Sequence, residues 1–166
     1  MNKLTYINLL LLVVIVLLAA FLLLTRNDGQ PEQLNVSAID PDSIDQIIIS
    51  RAGQSELHFS KQTGRWRMLS PLAAPANDTR IQAILSILSA RSHTQLDVAG
   101  LDPDRFSLRS PSVTLKLNEH EFRFGDAAPM DNRRYLLYLD TVHLINDGLF
   151  QQLQQKPEFF ILVEEQ

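Results

Sequence analysis

From Leu4 to Leu24 the chain reads LTYINLLLLVVIVLLAAFLLL, 21 residues without a charge and with Thr5, Tyr6 and Asn8 as the only polar groups. At about 1.5 Å per residue a helix of this length spans roughly 30 Å, the hydrocarbon thickness of a bilayer. No face of it is polar, which argues against packing on a soluble domain. A cleaved secretory leader has a shorter apolar region, about 7–15 residues, closed by a small-x-small site. Here Ala19-Ala20 runs on into Phe21 and three leucines, past the only candidate site. The sequence therefore predicts an uncleaved signal anchor, a single transmembrane helix over residues 1–24. Lys3 and the terminal amine precede it, while Arg26 and Asp28 follow, a slight positive-inside bias. A short leader before one long apolar segment favours a cytoplasmic N-terminus and an exported C-terminal domain. In a Gram-negative cell that is an inner-membrane protein facing the periplasm.

Beyond the anchor the chemistry changes. Lys3 is the one basic residue of the first 24, which leaves 14 of the 15 basic side chains beside all 19 acidic ones, a formal charge of −5. A mildly acidic domain argues against nucleic acid, whose affinity comes largely from neutralised phosphates. Hydrophobic content of 45% with 20% charged residues fits a folded chain. There is no cysteine, which excludes disulfides, thiolate catalysis and zinc–thiolate sites.

TRNDGQPEQLN, residues 25–35, reads as a polar tether, assigned to residues 25–36. A single domain then covers 37–163, with a tail at 164–166. Within it DQIIIS, ELHFSK and the segment Arg65–Leu69 predict a three-stranded meander, with turns at Ala52–Ser55 and Gln62–Gly64. On the third strand Arg65 and Arg67 share one face and Trp66 and Met68 the other. That separation rules out a basic-aromatic stacking platform and assigns Trp66 to the core. Pro71 and Pro75 interrupt regular structure, and Asn77 or Asp78 caps a helix from Thr79 to about Arg91. Its stripe of Ile81, Ile84, Leu85 and Leu88 needs an apolar partner, most simply the meander.

The second half repeats the theme. SVTLKLN places Val113, Leu115 and Leu117 on one face; a turn at Glu119-His120 leads to Phe122 and Phe124 inward. A loop with Gly125, Asp126, Pro129 and Asp131 precedes strands at Arg134–Leu139 and Val142–Ile145. Asn146-Asp147-Gly148 then opens a helix through about Gln155. The fold class is α+β: a mostly antiparallel β-meander domain with two short packed helices, in two related meander-plus-helix units.

The segments IDQIIISRAGQSELHFSKQTGRWRMLSP, ANDTRIQAILSILS, GLDPDRFSL, VTLKLNEHEFRFGD and RRYLLYLDTVHLINDGLFQQL follow the order of one bacterial family. From Ile44 to Leu153 the chain resembles domain-of-unknown-function family 4340. The resemblance implies a single-pass envelope protein. It also implies a link to auxiliary components of gliding-motility-type ABC-2 transporters, near which some members are encoded. It supplies no catalytic residues, and many members carry further copies of such units.

No catalytic or cofactor motif stands out. The histidines His58, His93, His120 and His143 form no i, i+4 pair and no H-E-x-x-H, and Glu119-His120-Glu121 lacks a second cluster, so no metal site is assigned. His58 and His143 are expected on exposed strand faces. The Asp-Pro-Asp stretches at 40–42 and 102–104 read as turn or helix-start signals and lack the glycine and distal glutamate of a calcium loop. There is no P-loop, no G-x-G-x-x-G and no G-x-S-x-G elbow, so neither nucleotide nor other cofactor is indicated. The candidate contacts for a partner or ligand are Arg65, Arg67, Asp126, Asp131, Arg133 and Arg134. The sequence favours a non-enzymatic accessory or scaffold protein that binds another envelope protein, in a transporter or assembly complex. The alternative is a small hydrolase or ligand-binding domain with its site at the loop Gly125–Arg134, where acids could work beside an anion clamp.

Overall fold

The computed structural model describes residues 11–16, 18, 35–129 and 132–162. The chain divides into two compact units, Met1–Gln33 and Leu34–Gln166. Of the first, residues 11–16 and 18 are helical with exposed apolar side chains. Among the described residues no helix is long and apolar enough to cross a membrane. The rest of the expected anchor, tether residues 25–34, Asp131 and the tail at 164–166 lie outside the described residues.

The second unit is built on period-two alternation. Its strands are β1 (Gln46–Arg51), β2 (Leu57–Gln62), β3 (Arg65–Ser70), β4 (Ala74–Pro75), β5 (Gln95–Asp97), β6 (Val113–Leu117), β7 (His120–Ala127), β8 (Arg133–Tyr138) and β9 (Thr141–Asn146). The helices are α1 (Asp78–Leu85), continued by a 3-10 turn at Ser86–Ser89, and α2 (Gly148–Leu153), followed by a 3-10 turn at Pro157–Phe160. Among the described residues the nine strands join one antiparallel sheet in the order β4-β3-β2-β1-β6-β7-β8-β9-β5.

That order traces one path twice. The first strands of the two meanders, β1 and β6, pair at the centre of the sheet. After α1 the chain crosses to the far edge and lays β5 against β9. After α2 it returns to the opposite edge, where Ile161 bridges Ala76 beside β4. Each post-helix segment thus closes the outer edge of the other meander, which ties the two meanders into one sheet.

Alternation places Ile47, Ile49, Leu57, Phe59, Trp66 and Met68 of the first meander in the same buried cluster as Val113, Leu115, Leu117, Phe122 and Phe124 of the second. The amphipathic stripe Ile81, Ile84, Leu85 of α1 packs into it, extended by Ile87 and Leu88, as does Phe160. Asn77 is the N-cap of α1: its side-chain oxygen accepts from the Arg80 amide at 3.3 Å. Where a helix to Arg91 is expected, α-geometry ends at Leu85 and the 3-10 turn carries the chain to Ser89.

Three further details of the strands differ from the sequence reading. The β6–β7 turn falls at Asn118-Glu119 instead of Glu119-His120, with Asn118 at φ 51°. Asparagine tolerates this left-handed conformation. Its side chain accepts from the amides of Asp45 and Gln46 and donates to the Ser43 carbonyl, which fixes the start of β1. Gly125 and Asp126, expected in a loop, are residues of β7, which bulges against β8 beyond Phe124. His143 is not on an exposed face. It is 3% exposed, because register puts it in the cross-strand row Arg51–Val113–Phe124–Leu136–His143 on the core side. His58 is half-exposed and lies 3.1 Å from Glu56, as an outward strand position predicts.

Candidate functional site

The two helices lie on the core side of the sheet and leave a trough between them with a volume of about 510 Å³. Ala83, Ser86, Ile87 and Ala90 of α1 and its 3-10 extension form one wall. Gly148, Leu149 and Gln152 of α2 form the other, and Ile145 and Asn146 at the end of β9 close the floor. Half-exposed Ala83, Ala90 and Leu149 supply the apolar surface of the trough, over a floor in which Ile87 and Ile145 are buried. Arg91 and His93 stand exposed at one rim. Among the described residues the lining contains no aspartate or glutamate.

The trough borders the place where the chain enters the domain. Asn35 bridges Arg91, the Val36 amide donates to the Ala90 carbonyl at 2.9 Å, and Ser37 bonds Leu88 O through both its amide and its hydroxyl. Val36, read as the last residue of the tether, is buried in the core.

The arginines and acids singled out by sequence are dispersed. Arg65 and Arg67 are exposed on β3, opposite buried Trp66 and Met68. They border a second hollow of about 510 Å³ near the β2–β3 turn, which includes Pro75, Asp78 and the edge of Trp66. Asp126 is exposed and accepts from the Ser107 hydroxyl at 2.9 Å. Arg133 is half-buried on β8. Arg134 is enclosed: its side chain is 11% exposed, Nε donates to Asp147 and Nη1 to the Gly125 carbonyl, both at 2.5 Å. Its guanidinium also lies 3.4 Å from the centre of the Phe150 ring. Arg134 therefore joins β7, β8 and the start of α2.

The acidic turn at Glu119–Glu121 is likewise committed to neighbours. Arg123 donates to Glu121 at 2.6 Å and Lys116 lies 3.2 Å away, and these bonds hold the Glu121 carboxyl below its ordinary range. His120 meets the Tyr138 hydroxyl at 3.2 Å. Among the described residues no group of three His, Asp or Glu side chains is placed to hold a metal ion.

Sequence reasoning did not single out Arg51. It is 6% exposed, and its guanidinium donates to the Gln155 carbonyl at 2.6 Å and the Ser55 carbonyl at 3.2 Å. It thereby caps the C-terminal end of α2 from β1, a favourable place for a cation. The available signal was its odd position in the alternation Ile47, Ile49, Arg51.

A family model described as Domain of unknown function (DUF4340) matches residues 66–161. The chain belongs to the DUF4340 family. The DUF4340 match opens on Trp66, the packing anchor of β3, and closes on Ile161, which bridges back to Ala76. Every trough residue, from Ala83 to Gln152, falls inside it. β1 and β2 precede the match, although β1 joins the two meanders at the centre of the sheet. No curated protein and no solved structure matches the chain.

Proposed function

We propose that this DUF4340 chain is a membrane-anchored accessory protein of the cell envelope, without enzymatic activity, that binds another envelope protein through its α+β domain. The trough between α1 and α2 carries the reading. It is an open concavity with an apolar floor and a polar rim, the form expected of a binding surface. The anchor rests on Leu4–Leu24 and on residues 11–16, whose helical side chains are apolar and 43–63% exposed all round. The periplasmic placement of the domain rests on the short leader and the slight charge bias. Involvement with a transporter or assembly complex follows from what the family resemblance implies.

Affinity purification of the full chain after mild-detergent extraction tests this function. A second envelope protein should return in fixed stoichiometry across several detergents. A partner-free monomer in all of them would refute the reading.

A further inference from the structure

The trough differs electrostatically from the domain that surrounds it. Beyond residue 24 the chain carries 14 basic and 19 acidic side chains, yet among the described residues the trough lining holds Arg91, His93 and no acid. Neither the Arg91 nor the His93 side chain has a hydrogen bond or ion pair among the described residues. By contrast, the hollow at Arg65 and Arg67 contains Asp78. An unpaired cation beside an apolar floor favours a ligand that is both apolar and anionic, because each feature alone fits only half of the surface.

The position of the trough narrows the source of that ligand. Arg91 bridges Asn35, where the chain enters the domain. Ten residues, hence eleven Cα–Cα steps, separate Leu24 from Asn35, and a fully extended chain of that length reaches at most roughly 40 Å. With residues 1–24 as an anchor, Asn35 is held within that distance of the bilayer, and the trough rim with it. Soluble partners gain nothing from that constraint. A segment next to another protein's transmembrane helix gains effective concentration.

We infer that the trough receives a peptide segment, acidic and bearing apolar side chains, from the membrane-proximal exported part of an integral membrane partner. Arg91 and His93 meet its carboxylates, and the half-exposed Ala83, Ala90 and Leu149 receive an apolar side chain. This inference rests on the accessory-protein reading and adds the surface and the chemistry of the partner.

The test uses the full chain in its native membrane. Gln152 is replaced by the photocrosslinker p-benzoyl-phenylalanine, with exposed Ser86 as a second attachment point in case the first perturbs folding. Attached peptides are identified by mass spectrometry. The expected adduct is a segment within about 20 residues of a transmembrane helix of another protein, containing Asp or Glu beside apolar residues. Arg91→Glu should reduce that adduct at least about fivefold, whereas Arg105→Glu, on an exposed 3-10 turn away from the trough, should leave it within about twofold. Adducts to residues 25–34 of the chain itself, to a second copy, to phospholipid or to a soluble protein would overturn the inference. So would the absence of an adduct from both positions, or one indifferent to Arg91→Glu. If a stoichiometric partner still co-purifies in those cases, only the trough assignment fails; if none does, the accessory reading fails with it.

Discussion

Arg134 and Asp147 form an ion pair at 2.5 Å in which each side chain is only 11–12% exposed, and this contact locks β8 to the start of α2. The pair does not stand alone. Gln151 donates to the second Asp147 oxygen at 3.2 Å, and the Asp147 amide donates to the Asn132 carbonyl at 3.0 Å. Removing one partner of a pair this enclosed leaves the other charge uncompensated. Arg134→Met should cost about 3 kcal/mol in urea denaturation. Arg134→Lys should recover little, because one ammonium cannot reproduce the guanidinium fork that reaches both Asp147 and Gly125 O. A loss below about 0.5 kcal/mol, the range of ordinary surface substitutions, would show that the pair is not structural.

Gly125 is required for space, not for backbone conformation. A Cβ built there would stand 2.2 Å from the Phe106 carbonyl oxygen and 2.8 Å from Leu108 Cδ2. Leu108 is fully buried against this side of the sheet, where the Phe106 and Tyr135 rings also meet, tilted by 48° with centres 4.5 Å apart. Gly125→Ala should therefore destabilise by about 1–3 kcal/mol, because a backbone carbonyl yields less than a side chain. Gly100→Ala, where a Cβ meets nothing within 4 Å, serves as the control and should stay within about 0.5 kcal/mol. Equal melting temperatures for the two variants would contradict the packing account.

The β2–β3 turn holds Thr63 at φ 49° and Gly64 at φ 80°. Two positive φ values suit the right-handed twist of a hairpin, but a β-branched residue is poorly fitted to the first position. Thr63→Asn should raise stability by about 1 kcal/mol without moving the register Gln62↔Arg65. A fall in the denaturation midpoint would sink this.

His143 has a buried Nδ1 without a hydrogen-bond partner among the described residues, and burial holds its imidazole below the ordinary histidine range. The folded state thus binds fewer protons here than the unfolded chain. The stability contribution is fully present above the unfolded pKa of about 6.5 and is lost as pH falls through that value toward the lowered folded one. Glu56 and Glu121 are also lowered on folding, but as carboxylates they act below this window. Between pH 7.5 and 5.5 the wild-type chain should lose stability, while His143→Leu should flatten that slope. Parallel pH profiles for the two proteins would count against a neutral buried histidine.

Much of this fold was legible because the sheet obeys local rules. Val113, Leu115, Leu117, Phe122 and Phe124 announce a half-buried hairpin by alternation alone, and Trp66 is placed in the core by the same parity. β5 was not legible: Gln95, Leu96 and Asp97 are three exposed residues, strand-like only because β9 lies beside them. His143 was misplaced because parity reveals alternation but not which face long-range register buries. Arg134 illustrates the limit for sites. A charged residue beside Arg133 and Asp126 looks like a surface clamp in sequence, and its partner Asp147 lies thirteen residues away across a hairpin. The trough was illegible for a related reason. Ala83, Ala90 and Gly148 acquire meaning only once α1 and α2 lie side by side.

The most direct measurement is partner stoichiometry for a chain whose trough is filled. Ala83→Trp places an indole in a volume of about 510 Å³ without touching the fully buried α1 stripe. The full-length variant and wild type are purified in parallel from mild-detergent extracts, and each melting curve is recorded. The melting temperature should be unchanged and at least about nine-tenths of the co-purifying partner lost, a tenfold change in binding. Wild-type stoichiometry from a folded Ala83→Trp chain would contradict it.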